Sequence, residues 1–347
     1  MRVLVAMSGG VDSSVAAALL VDEGHEVVGA TMKLWGGAGD SGCCSVADVT
    51  DARRVCDRLG VDHHVFNFTE IFNERVVEPY IEAHQRGETP NPCVECNRHL
   101  KFDTFIERAR RLGFDAVATG HHARVERDKA GRPQLLRGHD RAKDQSYVLS
   151  ILGAEQLDYL LLPVGNMVKS DVRALAHQRG LLTYAKPDSQ DVCFIASRTK
   201  GLGRAQFLGE RIDLHRARVV ENSSGVQYGE VAAVELVTIG QRRGLPTDSN
   251  TRPRYVIEVD VDRRIVTVGD REELLVSGLR LENRTWVHEP LAPGARVAVQ
   301  MSAHGAAREA TLSDDGVIFD ENSRKIARGQ IIALYEDLRV VGSGVVC

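Results

Sequence analysis

The sequence has no apolar run approaching the roughly 18 residues that a membrane span needs. Its first residues carry no secretory pattern, because Met1 leads straight into the strand-like RVLVAM. The expectation is a cytoplasmic protein without membrane contact. Charge of one sign is also missing: 44 Lys and Arg against 48 Asp and Glu give a formal net charge of −4. A general nucleic-acid coat protein would be basic, so unspecific DNA binding is not expected. Local clusters such as NRHLKF, RARR, GQRRG and NSRKIARGQ serve either as contacts to RNA or as solvated faces. Aromatic residues make up only 5% of the chain, which leaves few platforms for stacked bases. The 7 cysteines are an odd number without a leader, which argues against a disulfide framework and for buried, metal-binding or catalytic thiols. One absence is local. VLVAMSGGVDSSVAAALL reads as strand, glycine turn and helix, the build of a phosphate cradle, yet it holds no lysine. The G-x-x-x-x-G-K-[ST] loop uses its lysine to reach the β- and γ-phosphates.

What is present fills a chain of 347 residues, enough for two or three domains. Up to about residue 160, strands such as RVLVAM, EVVGATMKLW and VDHHVFNF alternate with helices such as VADVTDARRVCDRLG and IFNERVVEPYIEAHQRG. That alternation predicts a parallel sheet covered on both faces, with ligands beyond the carboxyl ends of its strands. From about residue 200 the texture shifts to short strands between Gly, Asp and Asn turns, as in RYVIEVDVD, RIVTVGD and EATLSDDGVIFD. The expected fold class is α/β: a parallel-sheet adenine-nucleotide-binding domain over residues 1–199, a small β-rich central domain over 200–274 and a C-terminal β-barrel over 275–347.

Gly9 and Gly10 let the backbone turn tightly and approach an anion. The helix that follows points its free N–H groups at that anion. Asp12 repels phosphate directly but can hold a magnesium ion that bridges the phosphates. Such a loop suits pyrophosphate as a leaving group, hence adenylation rather than γ-phosphoryl transfer. The plainer reading is a tight strand-to-helix turn with Ser13 as N-cap.

GETPNPCVECNRHLKF carries Cys93 and Cys96, and KPDSQDVCFI carries Cys193. C-x-x-C serves zinc, iron–sulfur and redox sites alike. A structural zinc would want four ligands, and Cys43 and Cys44 are the spare candidates, although adjacent cysteines seldom ligate one zinc well.

MSGGVDSSVAA, TPNPCVECNRHLKF, ATGHHAR, DRAKDQSYVL, KPDSQDVCFI and TIGQRRGL occur in that order. Together they resemble the bacterial tRNA-specific 2-thiouridylases, a family with an ATP-pyrophosphatase loop. The likeness spans nearly the full length, strongest in the first 200 residues; in the final barrel only ARGQIIALYED and a glycine-bearing end look alike. It implies a tRNA-uridine 2-sulfurtransferase that thiolates the wobble uridine of lysine, glutamate and glutamine tRNAs. ATP would adenylate the uracil 2-carbonyl, with Mg2+ assisting, and a sulfur donor protein, a cysteine desulfurase or sulfur-relay protein, would load a cysteine persulfide. By this resemblance Ala6, Met7, Ser8, Gly9, Gly10, Val11, Asp12 and Ser13 hold ATP, with Met32 and Gly120 touching it by backbone. Asn91, Pro92 and Cys93 face the target base, and His121, Lys143, Asp144, Gln145 and Gln330 meet the tRNA. Cys193 carries the persulfide; Cys96 attacks it and leaves a Cys96–Cys193 disulfide for reduction.

Two departures stand out. Many relatives have aspartate at Cys93, so three thiols, Cys93, Cys96 and Cys193, are candidates to bind an iron–sulfur cluster that delivers sulfide instead. Near Ser302 and Ala303 relatives carry a basic–aromatic pair that this chain lacks, with His304 as the only substitute. Outside the family, an ATP-dependent ligase or amidotransferase synthetase needs no cysteine pair, and a tRNA-binding module with a degenerate nucleotide site needs no intact loop.

Overall fold

RVLVA has one charge at its start and apolar side chains after it, and it forms β1 (Arg2–Ala6) at the centre of a five-stranded parallel sheet. In this computed structural model, which describes residues 1–35, 45–188, 192–195, 203–246 and 252–347, the first half also contains β2 (Glu26–Lys33), β3 (His63–Asn67), β4 (Ala116–Ala118), β5 (Ala123–Arg127), β6 (Pro133–Arg137) and β7 (Leu160–Leu161). The order across the sheet is β3-β2-β1-β4-β7. Strand alternation splits β1 between two cores. Val3 and Val5 pack with α1 (Val11–Asp22), α2 (Val46–Leu59) and the helix Lys169–Gln178. Leu4 and Ala6 face the opposite layer, built from the helical stretches 69–85 and 92–111. Because β2 and β4 flank β1 on either side, the strand order reverses at β1, and a crevice opens beyond its carboxyl end.

α2 starts with a capping box, in which Ser45 accepts from the Asp48 N–H while Asp48 accepts from the Ser45 N–H. It ends at Gly60, whose φ of 70° suits a residue without Cβ. The central unit is a four-stranded sheet of β8 (Ala217–Glu221), β9 (Gln227–Val231), β10 (Tyr255–Asp260) and β11 (Ile265–Gly269), with a small valine-rich core of its own. The last unit is a barrel of β12 (Leu275–Trp286), β13 (Arg296–Gln300), β14 (Arg308–Leu312), β15 (Gly316–Arg324), β16 (Ile331–Glu336) and β17 (Arg339–Val346), closed by pairing of β12 with β17.

Residues 123–137 carry no strand or helix expectation from the sequence pattern. They form a hairpin that leaves the parallel sheet and joins the barrel instead: β6 pairs with β17 through Leu136↔Arg339 and Leu135↔Val340. The nucleotide-type half of the chain thus lends two strands to the barrel's sheet, which stays separate from the parallel sheet. The joint is reinforced by Arg137, whose guanidinium lies 3.6 Å over the Tyr335 ring. Arg137 also donates to Asp144 at 3.0 Å and to Gln300 at 2.6 Å. Tyr147 Oη donates to the Ile331 carbonyl at 2.8 Å.

Candidate active site

The turn after β1 is shaped by contacts to two neighbours. Gly9 has φ of +71°, and a Cβ there would lie 2.3 Å from the Asp48 carbonyl oxygen of α2. Gly120, after β4, lies so close to the loop that its Cβ would meet Ser13 N at 2.5 Å. Neither position tolerates a side chain, which explains both glycines. Gly10 is the N-cap of α1 and offers no side-chain cap, leaving the first N–H groups of the helix pointing out of the turn. Ser13 Oγ donates to the Gly10 carbonyl at 3.1 Å and Ser14 Oγ does so at 2.7 Å. Ser8 N–H in turn donates to Ser13 Oγ at 3.3 Å, so the hydroxyls brace the loop from inside. Met32, expected to contribute by its backbone, is buried near the carboxyl end of β2, beside the same crevice.

A lysine is present after all, from elsewhere in the chain. Lys169 opens its helix and places Nζ 2.7 and 2.6 Å from the two oxygens of Asp12. His122 Nε2 lies 3.0 Å from the same carboxylate. Burial pushes the Asp12 carboxyl up, but the bonds from His122 and Lys169 and their charges win and hold it below the ordinary carboxylate value. Lys169 also meets Asp188 at 2.9 Å, where Lys143 (2.9 Å) and Arg173 (2.8 Å) converge. Burial opposes ionisation of Asp188, yet Lys143 and Lys169 outweigh it and hold the carboxyl at about 2. Next along the chain, Lys186 donates to the Gly9 carbonyl at 2.9 Å, to Asp48 at 2.6 Å and to Asp51 at 2.8 Å. None of Lys169, His122, Arg173, Lys186 and Asp188 was singled out from the sequence. The magnesium expected at Asp12 meets a carboxylate whose oxygens already accept from an ammonium.

The cysteines come from two segments. Asn91 caps the helical stretch 92–111, accepting from the Cys93 N–H at 3.1 Å, and Pro92 occupies its first turn. Cys93 and Cys96 stand one turn apart, Cys93 exposed and Cys96 buried. Cys193 is half-buried and packs against the same apolar cluster that contains Cys96. Farther along the Cys96 helix, His99 donates to the Asp103 and Glu95 carboxylates, which raises its imidazole to about 9. Among the described residues, no three His, Cys, Asp or Glu side chains gather as a metal would require. Cys43 and Cys44, considered for zinc, lie outside the described residues.

The residues expected at the tRNA are placed as follows. Asp144 is buried and accepts from Gly138 N–H (2.8 Å), Ser146 N–H (3.0 Å), Ser146 Oγ (2.9 Å) and Arg137 (3.0 Å). Its carboxylate braces the loop from within. Gln145 clips His122, accepting from its N–H at 2.8 Å and donating its own N–H to the His122 carbonyl at 2.8 Å. Lys143 is spent on Asp188 but keeps 39% of its side chain exposed. His121 is buried; burial and Lys101 keep it well below its ordinary value, so the ring is neutral, with Nδ1 2.7 Å from Thr119 Oγ1. Gln330 donates to the Thr89 carbonyl, and Thr89 N–H to the Arg328 carbonyl at 2.9 Å, so the barrel grips the chain just ahead of Asn91. Gln300 donates to the Ser302 and Ala303 carbonyls at 2.9 and 3.1 Å, which fixes the barrel turn that lacks the basic–aromatic pair.

Three family models match in sequence order: the HUP domain of tRNA methyl transferases over residues 1–197, the PRC-barrel domain of tRNA methyl transferases over 205–270, and the beta-barrel domain of aminomethyltransferases over 276–346. The chain is 44% identical over 358 residues to tRNA-specific 2-thiouridylase MnmA of Acidothermus cellulolyticus, covering 100% of this chain and 97% of the relative. It is 47% identical over 349 residues to the protein of that name from Mycobacterium leprae, covering 96% and 94%. Among solved structures, the U34-tRNA thiolase NcsA of Methanococcus maripaludis with its 4Fe–4S cluster aligns at 16% identity and a TM-score of 0.37, over 60% of this chain and 65% of that one, a slight likeness.

Proposed function

The chain belongs to the tRNA-specific 2-thiouridylase family, and we propose that it performs that family's reaction through the Asp12–Lys169 pair and the thiols of Cys96 and Cys193. It binds ATP and thiolates the 2-position of a tRNA uridine. The wobble uridines of lysine, glutamate and glutamine tRNAs are the proposed targets. Unpaired anticodon-loop bases are readable once splayed out, and flipping one costs only a few kcal/mol.

In this reading the loop Ala6–Ser13 cradles the phosphates with its N–H groups, with Met32 and Gly120 at the nucleotide. Lys169, already bonded to Asp12, supplies the charge that the loop lacks and meets the pyrophosphate as it leaves. Asp12 is the carboxylate that would hold a magnesium ion, which would neutralise further phosphate charge. The uracil 2-oxygen attacks the α-phosphorus, and pyrophosphate departs. Cys193 carries the outer sulfur as a persulfide. The Cys96 thiolate attacks Cys193 Sγ, the S–S bond breaks, and hydrosulfide leaves with the electron pair. Hydrosulfide adds to C2 of the activated base, AMP leaves with the old 2-oxygen, and the thiocarbonyl remains. The Cys96–Cys193 disulfide is then reduced by an external dithiol, and a sulfur donor protein reloads Cys193.

The carrying observation is that Cys96 and Cys193, distant in sequence, pack on one apolar cluster, which runs from the sheet of the phosphate loop to the barrel. A cluster on Cys93, Cys96 and Cys193 fits less well: one thiol is exposed, one buried and one half-buried, and no triad gathers among the described residues. No step is routed through iron. No helix among the described residues is long and apolar enough to cross a membrane; with tRNA and ATP as substrates, the cytoplasm is the proposed location. The test is thionucleoside analysis of wobble-uridine tRNA after incubation with ATP, a persulfide donor and the protein. Absence of 2-thiouridine with intact ATP–pyrophosphate exchange would point to a ligase, and absence of both to a tRNA-binding module.

A further inference from the structure

The Cys193 sulfur sits in a short turn closed by Ile195 N–H to the Val192 carbonyl at 3.0 Å. The next residue, Phe194, is 4% exposed and stands in a box of four aromatic rings. Its centroid lies 5.1 Å from Phe207, 5.4 Å from Tyr80, 5.7 Å from Phe72 and 6.1 Å from Trp35. The planes meet Tyr80 at 84° and Phe72 at 73°, the edge-to-face arrangement that aromatic quadrupoles favour. The walls come from three directions: Trp35 follows β2, Phe72 and Tyr80 lie on the helical stretch 69–85, and Phe207 lies in the helix Gly203–Gly209, capped by the Arg211 guanidinium at 4.0 Å. In a chain with 5% aromatics, four rings meet around one aromatic side chain. The cluster they join also contains Cys96, and Cys193 packs against it.

We propose that Phe194 is a positioning residue for sulfur transfer: its ring, wedged among Trp35, Phe72, Tyr80 and Phe207, holds the neighbouring Cys193 sulfur within reach of Cys96. The proposal rests on the persulfide reading above. Apolar burial alone would not require this placement. A ring adjacent to the sulfur-bearing residue and gripped from several sides fixes both position and direction of that residue, as an attack on Cys193 Sγ demands. A displacement of order 1 Å from a reactive geometry costs about 100-fold in rate.

The test compares Phe194→Ala with Phe194→Leu, which refills the box without an aromatic edge. Two rates are read: ATP–pyrophosphate exchange, and single-turnover thiolation from enzyme preloaded with persulfide. A third reading uses the full-length protein without tRNA or ATP. Diamide takes two electrons and two protons from the Cys96 and Cys193 thiols, becomes the hydrazine and leaves a disulfide, located by peptide mass spectrometry. Expected for Phe194→Ala is unchanged exchange, thiolation about 100-fold slower and a matching loss of the cross-link, with Phe194→Leu recovering part of both. Cross-linking of folded Phe194→Ala at the wild-type rate overturns the proposal. So does a parallel fall of exchange and thiolation in Phe194→Leu, which would mark Phe194 as general core. A wild type whose Cys96–Cys193 cross-link depends on Phe194 but that does not thiolate tRNA would keep the anchor and remove the thiolation reading.

Discussion

Replacing Lys169 by methionine takes one ammonium from between two carboxylates. Its Nζ lies 2.7 and 2.6 Å from the Asp12 oxygens and 2.9 Å from Asp188. Stability and rate respond differently. Removing one partner of a buried ion pair costs about 3–5 kcal/mol when the other charge is stranded. Here neither is stranded: Asp12 keeps His122, Asp188 keeps Lys143 and Arg173, and the two carboxylates are 29% and 24% exposed. A loss of about 1–2 kcal/mol is therefore expected, the range for a single hydrogen-bonded group left short of a partner. That shifts Tm by only a few degrees for a chain of this size. The rate effect is larger. A positioned donor at developing charge contributes about 100- to 1,000-fold, and no other ammonium bonds Asp12 among the described residues. Adenylation should fall by that factor while the protein stays folded. The assay is ATP–pyrophosphate exchange beside thermal unfolding on the same preparation. A folded Lys169→Met protein that exchanges at the wild-type rate refutes the assignment, and the pair with Asp12 is then structural only.

Cys96→Ser and Cys193→Ser should each still exchange pyrophosphate yet form no 2-thiouridine, whereas Cys93→Asp should thiolate in air with no iron in the protein; iron bound stoichiometrically and required for thiolation would reverse this. Gly120→Ala should abolish ATP binding and cost about 1–3 kcal/mol by overpacking, since its Cβ would meet Ser13 N at 2.5 Å; unaltered nucleotide affinity would show that the loop can retreat. His99 is raised to about 9 by Asp103 and Glu95, against about 6.5 in an unfolded chain. Its contribution is therefore complete below pH ~6.5 and lost as pH rises through about 9. His99→Gln should be less stable than wild type at neutral pH, with the gap closing toward alkaline pH in denaturant titrations; a gap constant with pH would exclude the imidazolium.

How much of this was legible depends on sequence distance. The phosphate cradle is local, an apolar strand feeding two glycines and a helix, so residues 3–20 announce it. The β-rich second half is legible for a similar reason, through short alternating strands and turn residues. Lys169 gives no such signal. In GNMVKSDVR it reads as an ordinary residue opening a helix, and its partner Asp12 lies 157 positions away. Asp188 and Lys186 flank a proline in a stretch recognised only for its cysteine. The hairpin β5–β6 was missed because ARVER and PQLLR are mixed in polarity, and what fixes them as strands is a partner in β17. The tRNA motif was visible as a string, but burial turns Asp144 inward, a distinction no string carries.

That hairpin changes what the barrel is for. A barrel attached by a flexible linker would add affinity for a large substrate and little else. Here β6 continues the β17 edge, Arg137 is sandwiched between Asp144 and Gln300 over Tyr335, and Arg98, on the helix of Cys96, reaches Thr285 Oγ1 of β12 at 3.4 Å. The same barrel grips Thr89 through Gln330 and Arg328. The segment Asn91–Cys96 is therefore held from both sides, by the helix it opens and by the barrel loop ahead of it. Attack at one ring carbon of a flipped base requires reacting atoms about 3–3.5 Å apart. A loop anchored at one end would not keep a base and a thiol in that register, and a loop anchored at both can. The barrel thus belongs to the catalytic geometry, and loosening it at Arg137 should lower thiolation before it lowers adenylation, because the phosphate loop draws its contacts from α2, Gly120 and Lys186, none of them in the barrel.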